Sequence, residues 1–291
     1  MNEDHDQTIS ITRTPQTPSV SVPDAVRLTS IKPSEKTEKP KYPSEPIGLP
    51  SEGYFYKENS PLSNGLIDIK YMTAKEEDIL TSQNLIKKGV VLERLLESLI
   101  VTPGVKIDDL LIGDKNALFI ASRRLAYGDS YGPLEVTCPK CNKENQCTVD
   151  LSLVKNKEFD FSKYERGMNV FEFSLPASKK TLKYKLLTHK DEQIIEQEIT
   201  SFAKINKNGA SAEITTRLKR MILAIDGNED RQVINKFVDN ELLSKDSLAF
   251  RNHFKETTPD IDMNFDFVCN ECSHEERVGI PLSVSFFWPK S

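Results

Sequence analysis

From Ile47 onward the chain alternates between short strand-like runs and helical apolar stripes. Leu66–Tyr71 alternates as a half-buried strand does. Thr73, with Glu76 three residues later, forms a capping-box pattern, which predicts a helix from Thr73 to about Gly89. Leu92, Leu95, Leu96 and Leu99 follow at i, i+3, i+4 and i+7, one apolar helical face. A third helix over roughly Lys115–Ala126 carries Leu118, Phe119, Ala121 and Leu125 and stops at Gly128. These stripes are assigned to the core. Val170–Leu175 alternates again, and a turn at Ala177–Lys180 leads into Leu182–Leu187, a β-hairpin pattern. Helices are predicted near Glu192–Phe202, Thr215–Ile225, Arg231–Asn240 and Ser247–Phe254, with a strand at Phe265–Val268. Val284–Pro289 is unusually apolar and leaves two readings open: a tail packed back on the body, or a partner-facing patch.

The pattern repeats. Ile69–Glu77 (IKYMTAKEE) reads like Tyr184–Glu192 (YKLLTHKDE), in both cases a strand-like run, a Thr cap and an acid three residues on. Leu110-Leu111 with Asp114 and Ala117 resembles Leu242-Leu243 with Asp246 and Ala249. Cys138-Pro139-Lys140-Cys141 is followed by Val149–Leu153, and Cys269-Asn270-Glu271-Cys272 by Ile280–Val284. Each half therefore reads strand, helices, strand, knuckle, strand. Lys204–Ala212 (KINKNGASA) reads as a loop inserted in the second half.

The expected fold class is α+β: two internally duplicated strand–helices–strand halves joined by a four-cysteine site of zinc-ribbon type, after a disordered N-terminal tail. The boundaries read from the sequence are 1–46 for the tail, 47–160 for the first pseudo-repeat and 161–291 for the second. The tail assignment follows from Pro15, Pro18, Pro23, Pro33, Pro40, Pro43 and Pro46 and from too little apolar surface to offset ordering. It is a solvated leader or an arm that orders on a partner.

Four thiolates are the ligand set of a closed tetrahedral zinc site, which assigns Cys138, Cys141, Cys269 and Cys272 as candidate ligands of a structural Zn²⁺. Cys147 and His274 lie close enough in sequence to replace one of them, and an iron–sulfur cluster accepts the same donors. Neither C-x-x-C opens a helix, against a thioredoxin-like redox pair. Apolar content of 37% supports a core, and the net charge of −5 argues against non-specific duplex binding. No signal-peptide pattern and no apolar run of about 20 residues stands out, so a cytoplasmic, membrane-free setting is expected. Nucleophile-elbow, Walker, H-E-x-x-H and dinucleotide motifs are missing, so no catalytic residues are assigned and no enzyme is expected.

Beside this reading stands a resemblance. LPSEGYFY at Leu49–Tyr56, IKYMTAKEEDIL at Ile69–Leu80, DDLLIGDKNALFIASRRLAYGDSY at Asp108–Tyr131, VTCPKC at Val136–Cys141 and IPLSVSFFWP at Ile280–Pro289 carry it. From about residue 47 to the end, the chain resembles the T4-type baseplate hub assembly family of contractile-tailed bacteriophages. The resemblance implies a non-enzymatic role in building the central baseplate hub, with hub proteins as partners and no small-molecule substrate. It places the protein in the host cytoplasm during assembly or in the tail baseplate of the virion. The rival reading is a zinc-ribbon protein that binds nucleic acid or the transcription machinery, for which Arg123-Arg124 and Arg217–Arg220 are the best basic candidates. Each group sits on a predicted amphipathic helix, where a solvated polar face is the plainer and favoured explanation. Aromatic residues are not interleaved with basic ones, as single-strand binding requires.

Overall fold

The computed structural model describes residues 43–205 and 211–288. The tail reading up to residue 42 and most of the expected inserted loop lie outside the described residues, whereas Ser44–Pro46 belong to the first strand. Among the described residues the fold is mixed α+β, with eight α-helices and small antiparallel sheets.

Strands β1 (Ser44–Gly48) and β2 (Leu66–Lys70) pair with Ser44 opposite Lys70. Their connection folds so tightly that a Cβ on Gly53, where φ is +71°, would lie 2.5 Å from the Ser63 carbonyl oxygen. Only glycine fits there. Helices α1 (Ala74–Thr81) and α2 (Gln83–Lys88) replace the single helix expected between Thr73 and Gly89. Ser82 is extended between them, and Thr81 Oγ1 bonds back to the carbonyls of Glu77 and Asp78. Hydroxyl side chains that compete for helix carbonyls in this way favour a break. Helix α3 (Val91–Leu99) buries Leu95, Leu96 and Leu99, after which Val101 N–H returns to Asp68 of β2 at 3.0 Å. Helix α4 (Ile112–Tyr127) leads into the hairpin of β3 (Ser130–Thr137) and β4 (Glu144–Asp150).

The later residues form β5 (Phe171–Ser174), β6 (Thr181–Tyr184), α5 (His189–Ile205), α6 (Glu213–Met221) and β7 (Ile222–Ile225). The three strands make one antiparallel sheet in the order β5-β6-β7. The helix expected to run to Ile225 therefore stops at Met221. Ile222–Ile225 is an apolar run with β-branched ends, and its burial beside β6 overrides helical continuation. Helix α7 (Arg231–Lys236) continues as a π-helical turn over Phe237–Glu241, then come α8 (Ser244–Glu256) and the hairpin of β8 (Asn264–Val268) and β9 (Glu275–Gly279).

Corresponding polar contacts recur along the chain. Glu76 closes the α1 cap on Thr73 and takes Lys70 Nζ at 2.7 Å. Asp191 does the same at the start of α5, with Thr188 and with Lys185 Nζ at 2.7 Å. Asp114, in the first turn of α4, accepts Ser51 N–H at 2.9 Å, two residues past Leu49. Asp246, in the first turn of α8, accepts Ala177 N–H at 2.7 Å, two residues past Leu175. Both carboxylates are buried, and each ties a helix start to the turn that follows a strand.

The main apolar core takes in Ile69, Leu96 and Leu118 together with Tyr184, Ile195 and Phe250. Backbone bonds cross between the two stretches: His189 N–H to Leu110 O at 2.8 Å and Ile112 N–H to Leu187 O at 3.1 Å. The C-terminal aromatic run packs back on the body. Phe286 and Phe287 are buried, Phe286 meets Tyr131 at 4.8 Å, and Arg123 Nε donates to the Phe286 carbonyl at 3.1 Å.

Candidate metal centre

The two cysteine pairs occupy the turns of two hairpins, β3–β4 and β8–β9. The turns have the same geometry. Cys138 N–H donates to Lys143 O and Cys269 N–H to His274 O, both at 2.9 Å. The residue after each second cysteine is left-handed, Asn142 at φ 54° and Ser273 at φ 53°, and donates back to Cys138 O and Cys269 O at 2.9 Å. Asn in that conformation is common and Ser less so, and the returning hydrogen bond stabilises both.

This geometry turns each pair of thiols toward the other hairpin. The four Sγ atoms of Cys138, Cys141, Cys269 and Cys272 all lie within 4.8 Å of one another. Cys138 Sγ is 3.7 Å from Cys272 Sγ, and Cys141 Sγ is 3.6 Å from Cys269 Sγ. These separations are far too long for a disulfide, whose sulfurs stand about 2 Å apart. They suit a tetrahedron of thiolates around an ion with bonds of about 2.3 Å, whose edges measure about 3.8 Å. The donor set thus fits a tetrahedrally bound metal ion. Cys147 packs beside this group from β4 but is not among the converging sulfurs, and His274 contributes its carbonyl to the turn.

Backbone donors point at three of the four sulfurs. Lys143 N–H points at Cys141, His274 N–H at Cys272, and the N–H groups of Glu271 and Cys272 at Cys269. Burial works against ionisation of Cys269, but the two backbone donors and the thiols of Cys141 and Cys272 together outweigh it and bring the thiol down to about 6. At Cys141 the Lys143 N–H pulls down, whereas burial and the three neighbouring sulfurs push the thiol up to about 12. Cys269 is thus held toward its thiolate, whereas Cys141 and Cys272 are held toward their thiols, and a bound cation would favour the thiolate at both.

The centre has a small core of its own. Phe267 is buried against Cys138 and Cys269, with Val136, Phe265 and Val278 around them, and Phe265 also packs against the main core.

Residues 54–288 match the family described as T4 bacteriophage base plate protein. The chain belongs to this family. A search of curated proteins gives no match, and neither does a search of solved structures. The matched span of this baseplate-family chain includes both cysteine turns and the whole of the main helical body.

The basic residues singled out by sequence are engaged internally. Arg123 is buried, stacks 4.9 Å from the Tyr127 ring centroid and donates to the carbonyls of Gly128, Ser130 and Phe286. A solvated helix face does not describe it. Arg124 pairs with Asp129, Arg217 with Glu192, Lys219 with Asp239 and Arg220 with Asp191. No helix among the described residues is long and apolar enough to cross a membrane. Two partners escaped sequence reasoning: Lys70 and Lys185, each three residues before a capping Thr at the same spacing from its acid. That K-x-x-T-x-x-E/D repeat is the signal that could have found them.

Proposed function

We propose that this protein is a non-enzymatic part of the tail baseplate that acts in assembly or structure of the central hub, its two cysteine hairpins pinned together by one structural zinc ion. The carrying observation is the baseplate-family match over residues 54–288. The hub assignment rests on the resemblance in Leu49–Tyr56, Ile69–Leu80 and Asp108–Tyr131. Cys138, Cys141, Cys269 and Cys272 are the proposed ligands. Four thiolates leave no open coordination position, so the ion's contribution is to hold two hairpins together rather than to activate water.

The two halves, 47–160 and 161–291, are proposed to descend from a duplication. The paired acid–Thr–Lys sites, the paired Asp114 and Asp246 anchors and the matching cysteine turns support this reading. A body with two related halves offers related surfaces to neighbouring hub subunits, and the residues ahead of β1 are a candidate arm toward one of them. The working location is the host cytoplasm during assembly and the tail baseplate afterwards.

The test is affinity purification of the tagged protein from infected cells, with co-purifying proteins identified by mass spectrometry. Recovery of hub and baseplate subunits is expected. Recovery of polymerase subunits or nucleic acid without tail proteins would overturn the reading.

A further inference from the structure

One buried amide joins the two cysteine turns. Asn145 stands on β4, four residues past Cys141, and is turned toward the opposite hairpin. Its Oδ1 accepts Asn270 N–H at 2.8 Å, and its Nδ2 donates to Cys269 Sγ at 3.5 Å and to Lys143 O at 3.0 Å. The amide orientation follows from these partners. Reversed, it would aim an oxygen at a sulfur and a carbonyl, and an N–H at an N–H. The position that corresponds on β9, four residues past Cys272, is Glu276, which is exposed. The contact therefore runs one way, from the first hairpin to the second.

We infer that Asn145 is a positioning residue of the metal centre: it sets the two cysteine turns in register and supplies Cys269 with a hydrogen-bond donor from across the site. This rests on the reading of the four cysteines as metal ligands. Four thiolates around a divalent cation leave an excess of negative charge on sulfur, and an N–H aimed at one of them disperses part of it. Outer partners of this kind are worth about 10- to 100-fold in metal affinity. Holding Asn270 as well, Asn145 couples the spacing of the two turns to the charge at the ion.

Two variants separate these roles. Asn145→Asp keeps the size and an oxygen for Asn270 N–H, but replaces the donor facing Cys269 with a negative oxygen. Asn145→Ala removes all three hydrogen bonds. Wild type and variants are loaded with Co²⁺, and two quantities are read: the thiolate-to-cobalt charge-transfer absorption and the rate of Co²⁺ loss to excess EDTA. Wild type is expected to hold one Co²⁺ per chain. Both variants are expected to lose it about 10- to 100-fold faster, with a shifted absorption band. The larger shift is expected in Asn145→Asp, where a charge faces the sulfur. Bands and rates equal to wild type would overturn the inference. Failure of wild type to take up Co²⁺ is a different result, which would overturn the metal reading itself. Where Asn145→Ala does not fold, the near-isosteric Asn145→Asp carries the comparison.

Discussion

Glu76 is fully buried and still ionised because both of its oxygens have donors. Lys70 Nζ and Ser98 Oγ reach Oε1, while Thr73 N–H and Oγ reach Oε2, all within 2.9 Å. Burial pushes its pKa up, but these donors outweigh burial and bring it from 4.5 to about 2. A lowered folded-state pKa gives stability that is present above 4.5 and is lost as pH falls toward 2. Glu76→Gln is expected to cost about 3 kcal/mol at pH 7, the scale of breaking a buried pair. Urea titrations should show that gap narrowing as pH drops below 4.5. Asp114 has the opposite sign. Its burial outweighs the donors Tyr56 and Ser51 and pushes it from 3.8 up to about 6. Its contribution is then full below pH 3.8 and is lost as pH rises through 6. Asp114→Asn should remove that rise in stability as pH falls from about 6 to 3.8. Asp114→Ala, which strands the Tyr56 and Ser51 hydroxyls, should cost about 3 kcal/mol. The Thr73–Glu76 box is legible in the sequence because its partners lie three residues apart. The Asp114 anchor is legible only as half of a repeated phrase, since Ser51 is 63 residues away.

Among elements, the helical stripes and the β5–β6 hairpin were within reach of periodicity, and β1 and β7 were not. β1 is mostly exposed and carries Pro46, so it shows no alternation; its place comes from pairing with β2. β7 is a short apolar run next to a helix, where length and period do not distinguish strand from helix. The cysteine hairpins differ from the rest of the fold in having a small buried cluster around Phe267, which meets the main core only through Phe265 among its apolar neighbours. Metal removal should accordingly act locally. Stripping the ion with a chelator is expected to speed amide exchange in β3, β4, β8 and β9. Exchange in α3, α4 and α8, which bury Leu95, Leu118 and Phe250 in the main core, should change little. Exchange rising equally throughout would show that the ion holds the whole body.

At the scale of the molecule, family membership and the α+β class could be read from sequence, the first through specific phrases and the second through alternating strand and helix patterns. The close approach of residues 138–141 to residues 269–272 could only be inferred, because spacing names ligand types and a fold alone brings them together. The main core has the same origin: Leu110–Ile112 pairs with Leu187–His189 by backbone bonds, which leave no mark on side-chain pattern. Everything proposed for the cysteine hairpins turns on one zinc ion held jointly by two distant turns. Native mass spectrometry of the purified protein, with elemental analysis of the metal, decides this. One zinc per chain is expected in wild type and none in either Cys138→Ser or Cys269→Ser, since loss of a thiolate from either turn opens the shared site. Metal-free wild type, or zinc retained in full by both variants, would mean that the two turns share no such ion.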